Sequence, residues 1–115
     1  MLQQKFKEIG ELIAEAVKNG NYKIVAERGG FYDYSYGKLY VDDETTGFRF
    51  AFNAEKGYIV WIGDNWLSRY IKGEDEKRIA TEAGKVEESM KKVWLDEDIK
   101  KKQAELDELR KEAAL

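Results

Sequence analysis

The 115-residue chain contains no His and no Cys, so any reactive centre would have to be built from carboxylates, lysines, tyrosines and hydroxyls. Disulfide scaffolds, thiolate metal sites, Cys nucleophiles and His-dependent mechanisms are excluded by composition alone. Asp33 and Ser35 are expected on one strand face and Asp64 at the carboxyl edge of a sheet. Two carboxylates held at a fixed separation would suit acid–base work on a glycosidic bond. The same residues fit plainer duties: Asp33 and Ser35 as solvated strand residues, and Asp64 as a helix N-cap. No spacing specifies a catalytic pair, so no catalytic residue is assigned and the chain is read as non-enzymatic.

Asp42-Asp43-Glu44-Thr45-Thr46-Gly47 gathers three acids ahead of a glycine. A calcium loop needs oxygen ligands at alternate positions and a distal bidentate acid. Neither is present, so no metal and no cofactor is expected, and the loop is read as an exposed interaction patch at a sheet end. Gly29-Gly30 lacks the Lys-Ser/Thr of a phosphate-binding loop and is not followed by a helical pattern.

The aromatic residues carry the stronger signal. Tyr32, Tyr34 and Tyr36 alternate along one strand face, joined by Tyr40 if Gly37 causes no slip, while Phe31, Leu39 and Val41 mark the opposite, more apolar face. Tyrosine is rigid and amphipathic, and a stripe of it suits protein contact or stacking on bases or sugars. Two arrangements fit: the tail helix covers the rings, or the face stands open to a partner. Trp66 opens a short helix, where it would pack in the core or line a groove. Trp61 reads as core, and Trp94 as core or as an anchor tying the tail to the sheet. The candidate binding residues are thus Tyr32, Tyr34, Tyr36, Tyr40, Asp42, Asp43, Glu44 and Trp66.

The elements that must position these residues follow from periodicity. Leu2, Phe6, Ile9, Ile13 and Ala16 recur at four- and three-residue steps, with Leu12 and Val17 widening the stripe, which predicts an amphipathic helix ended by Gly20. Gly10 inside it lowers helix propensity by about 1 kcal/mol and implies a close approach to another element. The period then changes from 3.6 to 2. Strands are expected over Tyr22–Arg28 with a Gly29-Gly30 turn, over Phe31–Asp42 with a bend at Gly37, around Phe48, Phe50 and Phe52, and over Tyr58–Ile62 after a hairpin closed by Gly57. The fourth is apolar on both faces and is expected to be central or covered. Short connections predict an antiparallel meander.

Asp64 then starts a short helix that Gly73 closes, and Glu74, Asp75 and Glu76 open a long one whose positive dipole end they favour. That tail holds two apolar stripes. Ile79, Ala83, Val86, Met90 and Val93 form the first. Leu95, Ile99, Leu106 and Leu109 form a second, shifted by two residues, with Lys102 in one slot. A shift of two residues is about 200° around a helix. Either the helix bends near Trp94-Leu95-Asp96 or its halves face different partners. The fold is therefore α+β: an N-terminal helix on a four-stranded antiparallel sheet, then a short and a long, continuous or broken, helix. Residues 1–95 form one domain and 96–115 a helical extension.

Charge narrows the partners. The chain carries 20 Lys+Arg against 23 Asp+Glu, a net of −3, and the excess lies entirely beyond residue 73. Without a basic block there is little counterion-release drive toward nucleic acid or anionic membranes. A protein with a basic surface remains a compatible partner, as does a second copy joined through Asp96–Leu115. No apolar run approaches the roughly 20 residues of a membrane span, and the interleaved N-terminus is not a signal peptide, so a cytoplasmic location in the producing or an infected cell is the default.

The order helix, antiparallel strands, helix is superficially similar to a double-stranded-RNA-binding domain, but Asp64, Glu74, Asp75 and Glu76 stand where that family carries a lysine cluster. Over residues 1–95 the gross plan, together with Asp42, Asp43 and Glu44 as phosphate mimics, resembles small acidic proteins of phages and mobile elements, including anti-CRISPR inhibitors. That resemblance implies a non-enzymatic blocker of a basic, nucleic-acid-binding surface. The leading expectation is a protein-binding inhibitor of that kind. A homo-oligomeric assembly module using the tail is the alternative, and a small carboxylate-based enzyme using Asp33 or Asp64 the least favoured.

Overall fold

A computed structural model of the chain describes residues 2–41 and 47–114. Helix α1 (Leu2–Asn19) leads into strands β1 (Tyr22–Phe31), β2 (Tyr34–Val41), β3 (Phe48–Asn53) and β4 (Tyr58–Trp61), a 3₁₀ turn η1 (Asn65–Arg69) and helix α2 (Glu74–Ala114). The strands pair in sequence order, each antiparallel to the next. This is the α+β meander that the periodicity predicts.

Alternation along the strands sorts the sheet into two faces. Ile24, Ala26, Leu39, Val41, Phe50, Phe52, Ile59 and Trp61 point to the buried side, and the register aligns them in rows such as Ala26–Gly37–Phe50–Trp61. Ile13, Ala16 and Val17 of α1, Leu67 and Ile71 around η1, and Ile79, Ala80 and Ala83 of α2 close the same core. All the helices therefore lie on one side of the sheet. A fully buried Leu, Ile or Phe, such as Leu39, Ile79 or Phe50, contributes about 1.5–3 kcal/mol relative to leaving it in water.

Local chemistry sets the joints. Gly20, at φ +75°, ends α1 with the paired bonds Asn21 N–H to the Ala16 carbonyl (2.8 Å) and Gly20 N–H to the Val17 carbonyl (3.2 Å), a glycine-closed helix end. Gly10 lies directly under the Tyr70 ring, with no room for a Cβ, which accounts for a glycine in mid-helix. Only the second half of α1 enters the core. Phe6, Ile9 and Leu12 stay partly exposed, and the Phe6 ring packs on Trp66 at 4.9 Å.

Three expectations are corrected. Gly29-Gly30 is not the hairpin turn: β1 runs on to Phe31, its register shifts between Glu27 and Gly30, and the turn falls at Tyr32-Asp33. Gly29 at φ +106° takes the unusual conformation that this bulge demands, whereas Gly37 stays in regular register. Strand β4 is an edge, not a central strand, and its Tyr58 and Val60 are 55% and 51% exposed. Asp64 makes no side-chain cap; its backbone carbonyl accepts the Leu67 N–H at 2.9 Å instead.

Helix α2 runs unbroken for 41 residues. Its first half ties both edges of the sheet. The Glu76 carboxylate accepts the Ile59 N–H of edge strand β4 at 3.1 Å, and at the other edge the Tyr22 hydroxyl donates to Glu82. Gly84 sits against Ala54 of the β3–β4 turn. Beyond Trp94 every described residue of α2 is exposed, and the molecule's longest dimension reaches 67 Å.

Candidate functional site

The face of the sheet turned away from the helices carries the tyrosines. Tyr34, Tyr36 and Tyr40 alternate on it, each half-buried. Cross-strand register sets Tyr36 beside Ala51 and Ala51 beside Val60, with Tyr58 beside Asn53. Ala51 is 1% exposed although no helix covers it; its larger neighbours in the row hide it.

Phe31 completes the platform. Because it lies on β1 and pairs with Tyr34, it faces the same side as the tyrosines, not the opposite side expected of a β2 residue. Its ring stacks on Tyr34 at 5.5 Å and 19° and lies 5.8 Å from Tyr36. Such ring pairs contribute about 0.5–1.5 kcal/mol beyond the area they bury, which holds the platform's shape. Phe31 is nevertheless 45% exposed.

One flank of the platform is polar and self-paired. Arg49 lies over the Tyr36 ring at 4.7 Å and donates to Glu27 at 3.1 Å. Lys38 reaches the same carboxylate at 3.5 Å. Lys38 and Arg49 are thus both engaged by Glu27, and with Lys23 beside Tyr40 on the same face they are too few to form a track for phosphates.

The other sequence candidates separate. Tyr32 stands at the turn tip with φ +52° and full exposure, off the stripe; positive φ at this turn position suits the twist of a two-residue hairpin loop. Trp66 lies on the helical side of the sheet, wedged between Phe6, Phe48 (6.4 Å) and Tyr70 (6.2 Å), so it does not join the tyrosines. Asp42, Asp43 and Glu44 lie outside the described residues. Trp94 meets β1 through Arg28, whose guanidinium sits 5.7 Å from the indole centre and donates to the Trp94 carbonyl at 2.9 Å and to Asp98 at 3.1 Å.

Asp33 belongs to the β1–β2 turn, whereas Asp64 follows β4 at the opposite end of the sheet, so the register keeps the two carboxylates apart. Ser35 points to the core side, in the row of Phe52 and Ile59. The displaced titration is that of Tyr22. Burial, then the Glu82 carboxylate that accepts its hydrogen bond, push its hydroxyl up to about 12, and this group serves the β1–α2 joint. Among the described residues, no three acidic side chains are grouped to hold a metal ion, and no helix is long and apolar enough to cross a membrane.

Phe31, Tyr58 and Val60 are the platform residues that sequence reasoning missed. The alternation of Tyr58 and Val60 with Ile59 and Trp61 was the available signal for two of them. Phe31 required the turn to be placed at Tyr32-Asp33. Comparison with known proteins returned no match: no family model fits the chain, and no curated protein or solved structure is similar to it.

Proposed function

We propose that this chain is a non-enzymatic binding module for another protein, with the helix-free face of its sheet as the contact surface. The observation that carries the reading is the platform itself: Phe31, Tyr34, Tyr36, Tyr58 and Val60 form an apolar, largely aromatic surface on the side of the sheet away from the helices, with the Arg49 guanidinium laid over the Tyr36 ring. Aromatic residues are the anchors of protein interfaces because they bury much area at little loss of rotamer freedom. Glu27, Lys38 and Arg49 form a polar rim in which one carboxylate is shared by two cations.

The finer reading, an inhibitor of a nucleic-acid-handling protein, is supported by the net charge of −3, which favours encounter with a basic surface. In that arrangement the platform supplies affinity and the acidic excess supplies steering.

The test is affinity capture from the cells that carry the gene, using the tagged full chain and surface variants. Val60→Arg and Tyr58→Ser are expected to lower capture of the specific partner by about tenfold or more, as loss of a central anchor does. Leu12→Lys, on the exposed side of α1, is expected to leave it unchanged. Equal capture by the wild type and both platform variants would refute the assignment.

A further inference from the structure

The free half of α2 presents a face that the fold does not use. At 100° per residue, Leu95 is turned roughly 160° from Ile79, which sits in the core. The stripe Leu95, Ile99, Lys102, Leu106, Leu109 and Ala113 steps by four and three residues and looks away from the sheet. Its leucines and isoleucine are 50–61% exposed. A lone helix gains little from burial on itself, so this stripe has an unmet use. It is also a different surface from the aromatic platform.

We infer that this segment pairs with the same segment of a second copy, in antiparallel orientation, about a two-fold axis beside Ala104. In that register Ile99 faces Leu109 of the second copy, Leu95 faces Ala113, and Lys102 faces Leu106. The overlap covers Trp94 to Ala114, the part of α2 that lies beyond its Arg28 contact with the sheet.

Charge selects the orientation. Along the free half the sign alternates in blocks: Asp96–Asp98 negative, Lys100–Lys102 positive, Glu105–Glu108 mostly negative, Arg110–Lys111 positive. Reversing one copy about Ala104 sets each block against one of opposite sign. Asp96 comes alongside Arg110, and Lys102 beside Glu105 of the second copy. Two like-charge approaches remain. Glu105 meets its own copy, flanked by Lys102 from both chains, and Asp98 meets Glu112 while already paired to Arg28 at 3.1 Å. A parallel in-register pair would instead oppose Lys102 to Lys102 inside the seam. A single polar residue in a helical seam commonly sets register and orientation in this way.

Sedimentation velocity of the full chain from about 1 µM to about 1 mM covers weak to moderate association, and the expected result is a shift from monomer to dimer. Leu106→Asp buries an unpaired carboxylate in the seam and is expected to weaken association at least about tenfold. Leu106 touches no core residue, so the variant's thermal midpoint at low concentration should match the wild type. Orientation is read by oxidation, because the chain has no cysteine of its own. Ile99→Cys mixed with Leu109→Cys should form a mixed disulfide, and Ile99→Cys alone should not. A monomer throughout, or a dimer untouched by Leu106→Asp, overturns the pairing; a disulfide formed by Ile99→Cys alone overturns the antiparallel arrangement. Platform variants such as Val60→Arg should dimerise like the wild type, which keeps this result separate from the binding reading.

Discussion

Replacing Gly84 by Ala tests whether α2 is docked as closely as the geometry requires. In a free helix the substitution stabilises by about 0.8–1.0 kcal/mol, because glycine has more backbone freedom to lose. Here the new Cβ would stand 2.5 Å from the Ala54 Cβ, against an optimal carbon–carbon separation of about 3.5–4.0 Å. Relief therefore needs roughly 1 Å of movement. Ala54 cannot swing aside: its turn is pinned by Lys56 N–H to Asn53 Oδ1 at 2.9 Å and Gly57 N–H to the Asn53 carbonyl at 2.8 Å. The helix is held one turn away by Ile79, Ala80 and Ala83, all fully buried. Overpacking of this kind costs about 1–3 kcal/mol, so the expected net loss is about 1 kcal/mol, or about 4 °C in thermal midpoint for a domain of this size.

Removing the opposing methyl by Ala54→Gly, at an exposed turn position, should cost only about 0.5 kcal/mol by itself. In that background Gly84→Ala should become stabilising. Urea unfolding of the four proteins, followed by Trp fluorescence, gives the coupling energy, expected at about 2 kcal/mol. If Gly84→Ala alone raises stability, or if the two changes simply add, the close docking of α2 on the β3–β4 turn is wrong.

Two further outcomes follow from the joints of α2. Tyr22, pushed up to about 12 by burial and by Glu82, favours the folded state below its ordinary value near 10, and that contribution is lost as pH rises from about 10 to about 12. Two units would correspond to about 2.7 kcal/mol, which solvent screening at this half-buried site reduces to about 1 kcal/mol. The unfolding free energy of the wild type should therefore drop by about 1 kcal/mol relative to that of Tyr22→Phe as pH rises from about 10 to about 12; a gap that stays constant with pH would refute the assignment. Arg28→Ala removes an exposed clasp and should change global stability by no more than about 1 kcal/mol, while amide exchange quickens beyond Trp94 and stays unchanged around Ile79–Ala83. Equal protection beyond Trp94 in the wild type and Arg28→Ala would show that the clasp does not order the helix.

Much of the fold was legible because hydrophobic period and glycine placement agreed. The step from Phe6-Ile9-Ile13 to Phe48-Phe50-Phe52 marked where helix gave way to sheet, and Gly20 and Gly57 marked real chain reversals at positive φ. The errors share a cause. Gly29-Gly30 carries the composition of a turn, but the chain spends that freedom on a bulge, and the reversal falls two residues later at Tyr32, where no local rule favours it. This slip moved Phe31 to the wrong face and left Tyr32 in a stripe it does not join. The double-sided apolarity of Tyr58–Ile62 was read as burial between layers, yet the strand is an edge with one side open. Local pattern reports which residues avoid water, not whether the chain's own helices or some other surface will cover them.

Helix α2 reaches from one margin of the sheet to the other, through Glu76 on β4, Glu82 on Tyr22, and Arg28 beneath Trp94. A tug on its far end would consequently meet these fastenings one at a time. Arg28 would release first, the tyrosine tether next, and the Ile79 anchorage last. The molecule should yield by peeling at modest tension, however high its equilibrium stability, and any partner gripping the protruding arm would hold a lever on the whole sheet.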